Sequence, residues 1–238
     1  MDFLGDVELE RSSVVANCRM NRGRGLVGSN GYARELGFHP LDLAPPDRPF
    51  RWLDLCCGQG RALGDAARAA RDRGGPAVAI TGVDLVGMFD PGPGPLPGLH
   101  LVEASVSTWS PRLDDRFDLI TCVHGLHYVG DKLNLIARAA GWLADDGRFV
   151  ATLDLANLHV VGVASPARHL RASFRRAGLP YDERRRLIRR AGCGAIALPY
   201  TYLGADAAAG PNFTGQPAVR SIYRMAGEPR GLDMNRNG

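Results

Sequence analysis

Lysine is almost missing from this chain. Lys132 is the sole lysine among 29 Lys and Arg residues in a chain of 238. Arginine therefore carries nearly all the positive charge behind the formal net charge of +4. Alanine, glycine, arginine and proline are abundant throughout, a bias that GC-rich coding produces without selection for a polyanionic partner. The basic balance alone thus does not point to nucleic acid. No apolar run approaches the length that spans a membrane. The first residues are acidic and lack a basic-then-apolar leader, so no secretory signal is expected. The five cysteines (Cys18, Cys56, Cys57, Cys122 and Cys193) are odd in number and show no paired zinc spacing. Adjacent Cys56 and Cys57 suit neither an ordinary disulfide nor a metal knuckle. A reducing cytoplasm fits this cysteine usage, and a cytoplasmic location is expected. A phosphate loop ending in Gly-Lys-Ser/Thr is also lacking.

What is present suits one large domain, with 45% hydrophobic and 23% charged residues. Residues 1–50 read as an irregular N-terminal helical or lid segment. They carry helical patches at Val7–Cys18 and Asn30–Leu36 and a glycine-rich stretch between Arg22 and Tyr32. Pro40 to Pro49 is a proline-punctuated connector. Residues 51–238 then alternate strand and helix signals. Strands are predicted at Arg51–Cys56, Ala77–Val83, Leu99–Ala104, Phe117–Val123 and Arg148–Leu153. Helices are predicted at Gly60–Arg73, Asp131–Leu143, Pro166–Ala177 and Asp182–Ala191. Such alternation implies parallel strands joined by right-handed crossovers. The last apolar runs, Ile196–Leu203 and Val219–Met225, have no helix between them and should pair antiparallel at one sheet edge. The stretch Asp90-Pro91-Gly92-Pro93-Gly94-Pro95-Leu96-Pro97-Gly98 cannot be helical, so the crossover after Asp84 must be mostly loop.

The informative stretch is Trp52-Leu53-Asp54-Leu55-Cys56-Cys57-Gly58-Gln59-Gly60-Arg61-Ala62-Leu63, a strand, a glycine turn and a helix start. Such a unit brings backbone N–H groups and close-approach glycines to a nucleotide-type cofactor. A dinucleotide fingerprint needs a third glycine for helix–strand packing. Gly58 and Gly60 are in phase, but the third position is Leu63, and Gly64 is one residue late.

With these elements in order, the sequence resembles the class I S-adenosylmethionine-dependent methyltransferases over roughly Arg51 to Met225. Leu53 to Arg61 looks like the family's first motif. Thr81-Gly82-Val83-Asp84-Leu85 looks like its second, and Val102-Glu103-Ala104-Ser105 occupies the adenine-side loop. Phe117 to Val123 looks like the fourth strand, and Gly141 to Phe149 like the helix–turn–fifth-strand signature. The resemblance implies an α/β fold: a seven-stranded Rossmann-like sheet, mostly parallel with an antiparallel terminal strand, and helices on both faces. It implies S-adenosylmethionine as cofactor and S-adenosylhomocysteine as product. The cofactor residues it implies are Asp54, Cys56, Gly58, Gly60, Asp84, Leu85, Met88, Ala104, Ser105, Cys122 and Val123. Asp54 would orient the glycine loop or meet the cofactor's amino group, and Asp84 would accept the ribose hydroxyls. Three departures stand out. Cys56 replaces the motif's first glycine, Ser105 stands where an aspartate often meets the adenine amino group, and a Pro/Gly loop replaces the helix after Asp84.

Methyl transfer from a sulfonium is an in-line displacement that needs alignment, exclusion of water and, for some acceptors, a base. The stretch Thr121 to Tyr128 follows the fourth strand, where an open α/β sheet presents its site. His127 is the first candidate base there and His124 the second. Tyr32, Tyr128, Tyr202 and Phe213 are candidate substrate-binding residues, and Gly28–Leu36 is a candidate lid. Thr121-Cys122 lacks the Pro-Cys pairing of cytosine-5 enzymes, and the Asn/Asp-Pro-Pro-Tyr signature is absent. Asp154 and His159 do not complete a metal set, so no metal is expected. The arginine-rich run Arg168–Arg190 reads as solvated helices with few interleaved aromatics. The expected partner is a small-molecule methyl acceptor, in specialised metabolism. A homodimer stays open, no membrane is expected and nucleic acid is disfavoured. The alternatives are an RNA or nucleoside methyltransferase and an inactive cofactor-binding scaffold.

Overall fold

A computed structural model describes residues 3–16, 23–74 and 77–227. Its centre is a seven-stranded sheet built from β1 (Phe50–Leu55), β2 (Val78–Asp84), β3 (Leu99–Glu103), β4 (Phe117–Cys122), β5 (Leu143–Thr152), β7 (Tyr181–Asp182) and β8 (Leu187–Ala191). The strand order is β3-β2-β1-β4-β5-β8-β7. The first five strands are mutually parallel. β8 runs antiparallel to both β5 and β7, so the sheet is mostly parallel with an inverted strand near its end. The chain reverses its strand order between β1 and β4, which opens a crevice beyond their carboxyl ends.

Parallel strands covered on both faces alternate two apolar sets. In β1, Phe50 and Trp52 enter one core with Leu63 and Ala66, while Leu53 and Leu55 enter the other with Leu133 and Ile136. The first core lies under α4 (Arg61–Asp72) and the second under α5 (Lys132–Gly141). Leu26, Tyr32 and Leu36 complete the first core, with Tyr32 and Leu36 on α3 (Tyr32–Leu36). The N-terminal segment therefore shares its packing with β1.

Leu63 in place of the third dinucleotide glycine has a structural reason. A Cβ on Gly82 of β2 would stand 2.6 Å from Leu63 Cδ1 and 2.8 Å from Cys57 Sγ. The missing side chain is on the strand, and the helix fills the space with leucine. Gly64 serves another contact, because a Cβ there would stand 2.0 Å from the Pro91 carbonyl oxygen. It lets the loop after Asp84 lie directly on α4.

Two expectations are corrected. Asp182–Ala191 is not a helix but the β7–β8 hairpin, turned at Arg186 with φ 54°. Its adjacent apolar pair, Leu187 and Ile188, makes no helical stripe, and pairing with the open edge of β5 overrides the arginines' helix propensity. The last two apolar runs do pair antiparallel, as β9 (Tyr200–Asp206) and β10 (Arg220–Met225). They stand off the main sheet, in a separate three-stranded sheet with β6 (Leu158–Val160). Ahead of the core lie α1 (Asp6–Glu10) and α2 (Ser13–Ala16). They fall in the predicted Val7–Cys18 patch, whose end lies outside the described residues. Leu4 bridges to Ala205 of β9, and α6 (Pro166–Arg176) precedes the hairpin.

Candidate functional site

A cavity open to solvent on one side lies beyond the ends of β1, β2 and β4. Its floor is the turn after β1, where Cys56, Gly58 and Gly60 take positive φ values of 59°, 60° and 75°. That hand costs little for glycine and more for Cys56. Gly58 N donates to Asp84 Oδ2 at 2.9 Å and Val86 N to Asp84 Oδ1 at 3.1 Å. Asp84 thus shapes the turn as well as facing the cavity. An ionised carboxylate offers about four acceptor positions, so these bonds are compatible with accepting a ligand's hydroxyls.

Asp54 sits beneath the floor, fully buried, and does not line the cavity. It accepts from Tyr32 Oη at 2.8 Å and from the Thr121 hydroxyl, which in turn accepts from Trp52 Nε1. Burial pushes its carboxyl up to about 7, against the opposing pull of those two hydrogen bonds. The expected contact with a cofactor amino group gives way here to a different geometry. Asp54 holds Tyr32, and Tyr32 lines the cavity.

At the far wall, His124 ends β4 in the left-handed region, at φ 61°. Its Nε2 lies 3.3 Å from Glu35 Oε2 of α3, an ion-pair contact off the line of an aligned hydrogen bond. His124, ahead of Arg24 and Arg34, holds the Glu35 carboxyl below the usual carboxylate range. His127 is 1% exposed, and its Nε2 is buried with no hydrogen-bond partner among the described residues. Burial, with lesser contributions from His124 and Lys132, pushes its imidazole down to about 3. The rings of His124 and Phe213 lie 5.7 and 5.5 Å from it.

Phe213 is 40% exposed at the rim, with Arg186 Cζ 4.3 Å above its ring. Asp154 fixes both, accepting from Phe213 N at 3.0 Å and pairing with Arg186 at 3.1 Å. The sole lysine, Lys132, is buried and donates to Val129 O, Val219 O and Ser221 Oγ at 2.7–2.9 Å. Burial lowers its ammonium to about 7. Because Val219 N donates to His127 O, this lysine ties the His124–Tyr128 turn to the second sheet.

Of the expected cofactor residues, Cys56, Gly58, Asp84, Leu85 and Val123 line the cavity. Gly60, Ala104, Ser105 and Cys122 do not. Gly60 serves the turn, and Cys122 is buried behind Cys56. Val106 and Ser107 face the cavity where Ala104 and Ser105 were expected, and the Ser105 hydroxyl is taken by Glu10. Met88 is 63% exposed, because the loop after Asp84 leaves along α4. Contact with Cys122 and burial push the Cys56 thiol up, which disfavours its thiolate. Tyr32 and Tyr128 line the cavity. Tyr202 and Phe213 do not: the Tyr202 hydroxyl meets Asp6 at 3.4 Å, and the Phe213 ring packs behind the wall against His124 and His127. No cluster of three potential metal ligands occurs among the described residues.

Asp6, Leu9, Glu10, Arg24 and Gln216 also line the cavity and were not expected there. They arrive from segments distant in the chain, and no local motif marks them.

The cavity fits an adenosyl cofactor. An acid at the end of β2 faces it beside Leu85 and Val106, and the glycine turn forms its floor. Gly125 opposite has no room for a side chain, since a Cβ would stand 2.3 Å from Cys56 Cβ. That leaves a narrow cradle between the ends of β1 and β4.

A family model described as a methyltransferase domain matches residues 31–193. No curated protein matches the sequence. Among solved structures, an S-adenosylmethionine-dependent methyltransferase from Mesorhizobium loti is 25% identical, with a TM-score of 0.36 over 49% of this chain and 52% of that one. A putative methyltransferase in complex with the Haloferax volcanii Trm112 activator is 21% identical, with a TM-score of 0.40 over 63% and 70%. The plantazolicin methyltransferase BpumL, solved with S-adenosylhomocysteine, is 15% identical, with a TM-score of 0.38 over 43% of this chain. Only 38% of that enzyme's length is covered.

Proposed function

The chain belongs to the class I S-adenosylmethionine-dependent methyltransferases, and from that premise we propose that it methylates a small molecule held over the end of β4. The observation that carries this reading is one cavity that joins the Gly58–Asp84 floor to a wall of His124, His127, Tyr128 and Asn212. S-adenosylmethionine supplies an electrophilic methyl group on a positively charged sulfur.

The residues divide the remaining work. Gly58 and Asp84 fix the cofactor end, with Leu85 and Val106 as apolar flanks. Tyr128 and Phe213 shield the acceptor from water. His127, with its imidazole near 3, stays neutral around pH 7 and is too weak a base to carry a proton away. Its Nε2 instead accepts a hydrogen bond from a second O–H or N–H of the acceptor, beside the nucleophilic group, and so aims the nucleophile. His124 takes the proton, and Glu35 at 3.3 Å stabilises the imidazolium that forms. This reverses the order of the two histidines expected from the sequence.

A small acceptor suits a walled cavity. Three of the nine arginines between Arg168 and Arg190 are engaged with carboxylates: Arg186 with Asp154, Arg189 with Asp182 and Arg171 with Glu183. Residues 23–36 cover the turn as a lid. Among the described residues no helix is long and apolar enough to cross a membrane.

Calorimetry with S-adenosylhomocysteine tests the premise, and no binding at millimolar ligand would end it. Incubation with methyl-labelled cofactor and a metabolite extract tests the acceptor class. Label in small molecules supports the proposal, and label confined to added RNA overturns it.

A further inference from the structure

Three carboxylates and one arginine line the cavity: Asp6, Glu10, Asp84 and Arg24. The arginine is already engaged, donating to Glu35 Oε1 at 3.3 Å. S-adenosylmethionine brings a net positive charge, and Asp84 at the floor offsets it. Glu10 is turned to the loop after β3, where it accepts from the Ser105 hydroxyl. Asp6 is left over, on the acceptor side.

Its position there follows from a glycine. Asp6 opens α1, and a Cβ on Gly130 would stand 2.3 Å from Asp6 Oδ1 and 3.1 Å from Leu9 Cδ2. Only the missing side chain lets α1 come so close to the turn that carries the histidines. Tyr128 and Val129 precede Gly130, and all three line the cavity. Tyr128 packs in one cluster with Leu9 of α1, and its ring stands perpendicular to that of His127 at 6.4 Å. Tyr202 donates to Asp6 Oδ1 at a long 3.4 Å. Among the described residues no ion pair reaches Asp6 and nothing donates to its Oδ2.

The surroundings leave this charge without a counterion. Asp131 adds a second carboxylate nearby, its carboxyl raised first by burial and, among lesser causes, by Asp6. Lys132, next in the chain, turns its ammonium inward to Val129 O, Val219 O and Ser221 Oγ and does not line the cavity. A partly buried carboxylate with a free oxygen beside an aromatic face attracts a cation and repels an anion. The Nε2 of His127, on a residue 1% exposed and without a partner among the described residues, marks the same wall as a place for a ligand.

We infer that the methyl acceptor is a cationic amine whose charged amino group is held by Asp6 while a different O–H or N–H of the same molecule receives the methyl group. The inference rests on the proposed small-molecule methyltransferase and names the class of its acceptor. The two groups must differ, because a carboxylate beside an ammonium keeps its proton on, whereas the nucleophile gives a proton to His124.

The test incubates the full chain with methyl-labelled S-adenosylmethionine and a metabolite extract. Labelled small molecules are separated by charge at pH 7, and an enzyme-free control accounts for the cofactor itself. New labelled peaks should be retained on a cation exchanger. Mass-spectrometric fragmentation should place the methyl group away from a basic nitrogen. Label only in neutral or anionic peaks overturns the inference, as does a product whose sole basic nitrogen carries the label. No labelled small molecule from protein that binds S-adenosylhomocysteine removes the small-acceptor reading instead. With the labelled amine as substrate, Asp6→Asn should raise KM by about 10- to 100-fold. Affinity for S-adenosylhomocysteine should stay within twofold, and Asp6→Glu should recover part of the loss. A KM within twofold of wild type in Asp6→Asn takes Asp6 out of the acceptor site. An equal fall in cofactor affinity does the same, because it marks a general disturbance of α1.

Discussion

The two ends of the cavity are built differently. The cofactor end is local: β1, its turn, α4 and the acid closing β2 come from a stretch of 35 residues, Phe50 to Asp84. The acceptor end is assembled from far apart. His124 follows β4, Glu35 belongs to α3, Arg186 to the β7–β8 hairpin, and Phe213 to the loop between β9 and β10. A local device must satisfy one backbone geometry and carries a recognisable spacing. A device made of distant side chains needs only the fold to bring them together. The cofactor end should therefore respond to substitution as backbone and binding, and the acceptor end as turnover and selectivity.

The largest effect should come from beneath the cofactor end. Asp54 titrates near 7 in the folded chain against about 4 when unfolded. Its folded value is raised, so its contribution to stability is fully present below about pH 4. That contribution is lost as pH rises through 7. Asp54→Asn cannot ionise, and its amide can still meet Tyr32 and Thr121. Denaturant melts should show the wild type losing on the order of 4 kcal/mol from this residue between pH 4 and 8. The variant should escape most of that loss. Identical pH dependence in both proteins would show that Asp54 is not the titrating group.

Next comes Asp84→Ala. It removes the acceptor of two backbone N–H groups as well as the proposed ribose contact. Affinity for S-adenosylhomocysteine should fall by about 100-fold or more, since bonds to a charged acceptor are worth roughly 1.5–3 kcal/mol each. A loss under threefold by calorimetry would take Asp84 out of the cofactor site.

Glu35→Gln moves the comparison to the acceptor end. The amide keeps an oxygen for Arg24 but removes the charge beside His124. We expect kcat to fall by about 10-fold or more, with cofactor affinity unchanged within twofold. A fall in affinity with kcat intact would make Glu35 a lid residue and nothing more.

The same contrast explains what the sequence revealed. The five parallel strands were legible because apolar runs bounded by turn residues specify them locally. The turn and Asp84 were legible because glycine and acid recur at fixed offsets. Arg24 and Glu35 were not, because Arg24 pairs with Asn30 and Glu35, and Glu35 in turn with His124, and no spacing rule links these positions. The β7–β8 hairpin was misread because its arginines favour a helix until β5 offers an open edge. Asp54 was assigned to the right motif, but of its two expected roles the direct cofactor contact does not fit its place beneath the floor. Its partners Tyr32 and Thr121 are set by packing, and the motif does not encode them.

The smallest effect should come from Phe213→Ala. The ring lies 40% exposed at the rim, held between His124, His127 and Arg186. It makes no hydrogen bond through its side chain, so its removal takes away apolar contact area and a screen against water. The backbone around it should persist, because Asp154 holds Phe213 through the main-chain N–H. KM for the acceptor should rise by roughly three- to tenfold, in line with partial burial of one aromatic side chain. S-adenosylhomocysteine affinity should not change, since Phe213 lies on the histidine side of the cavity. Steady-state kinetics with the acceptor, set beside calorimetry with the cofactor product, separates the two. If cofactor affinity fell as much as KM rose, the two ends of the cavity would be one site, and the division between a local and an assembled half would fail.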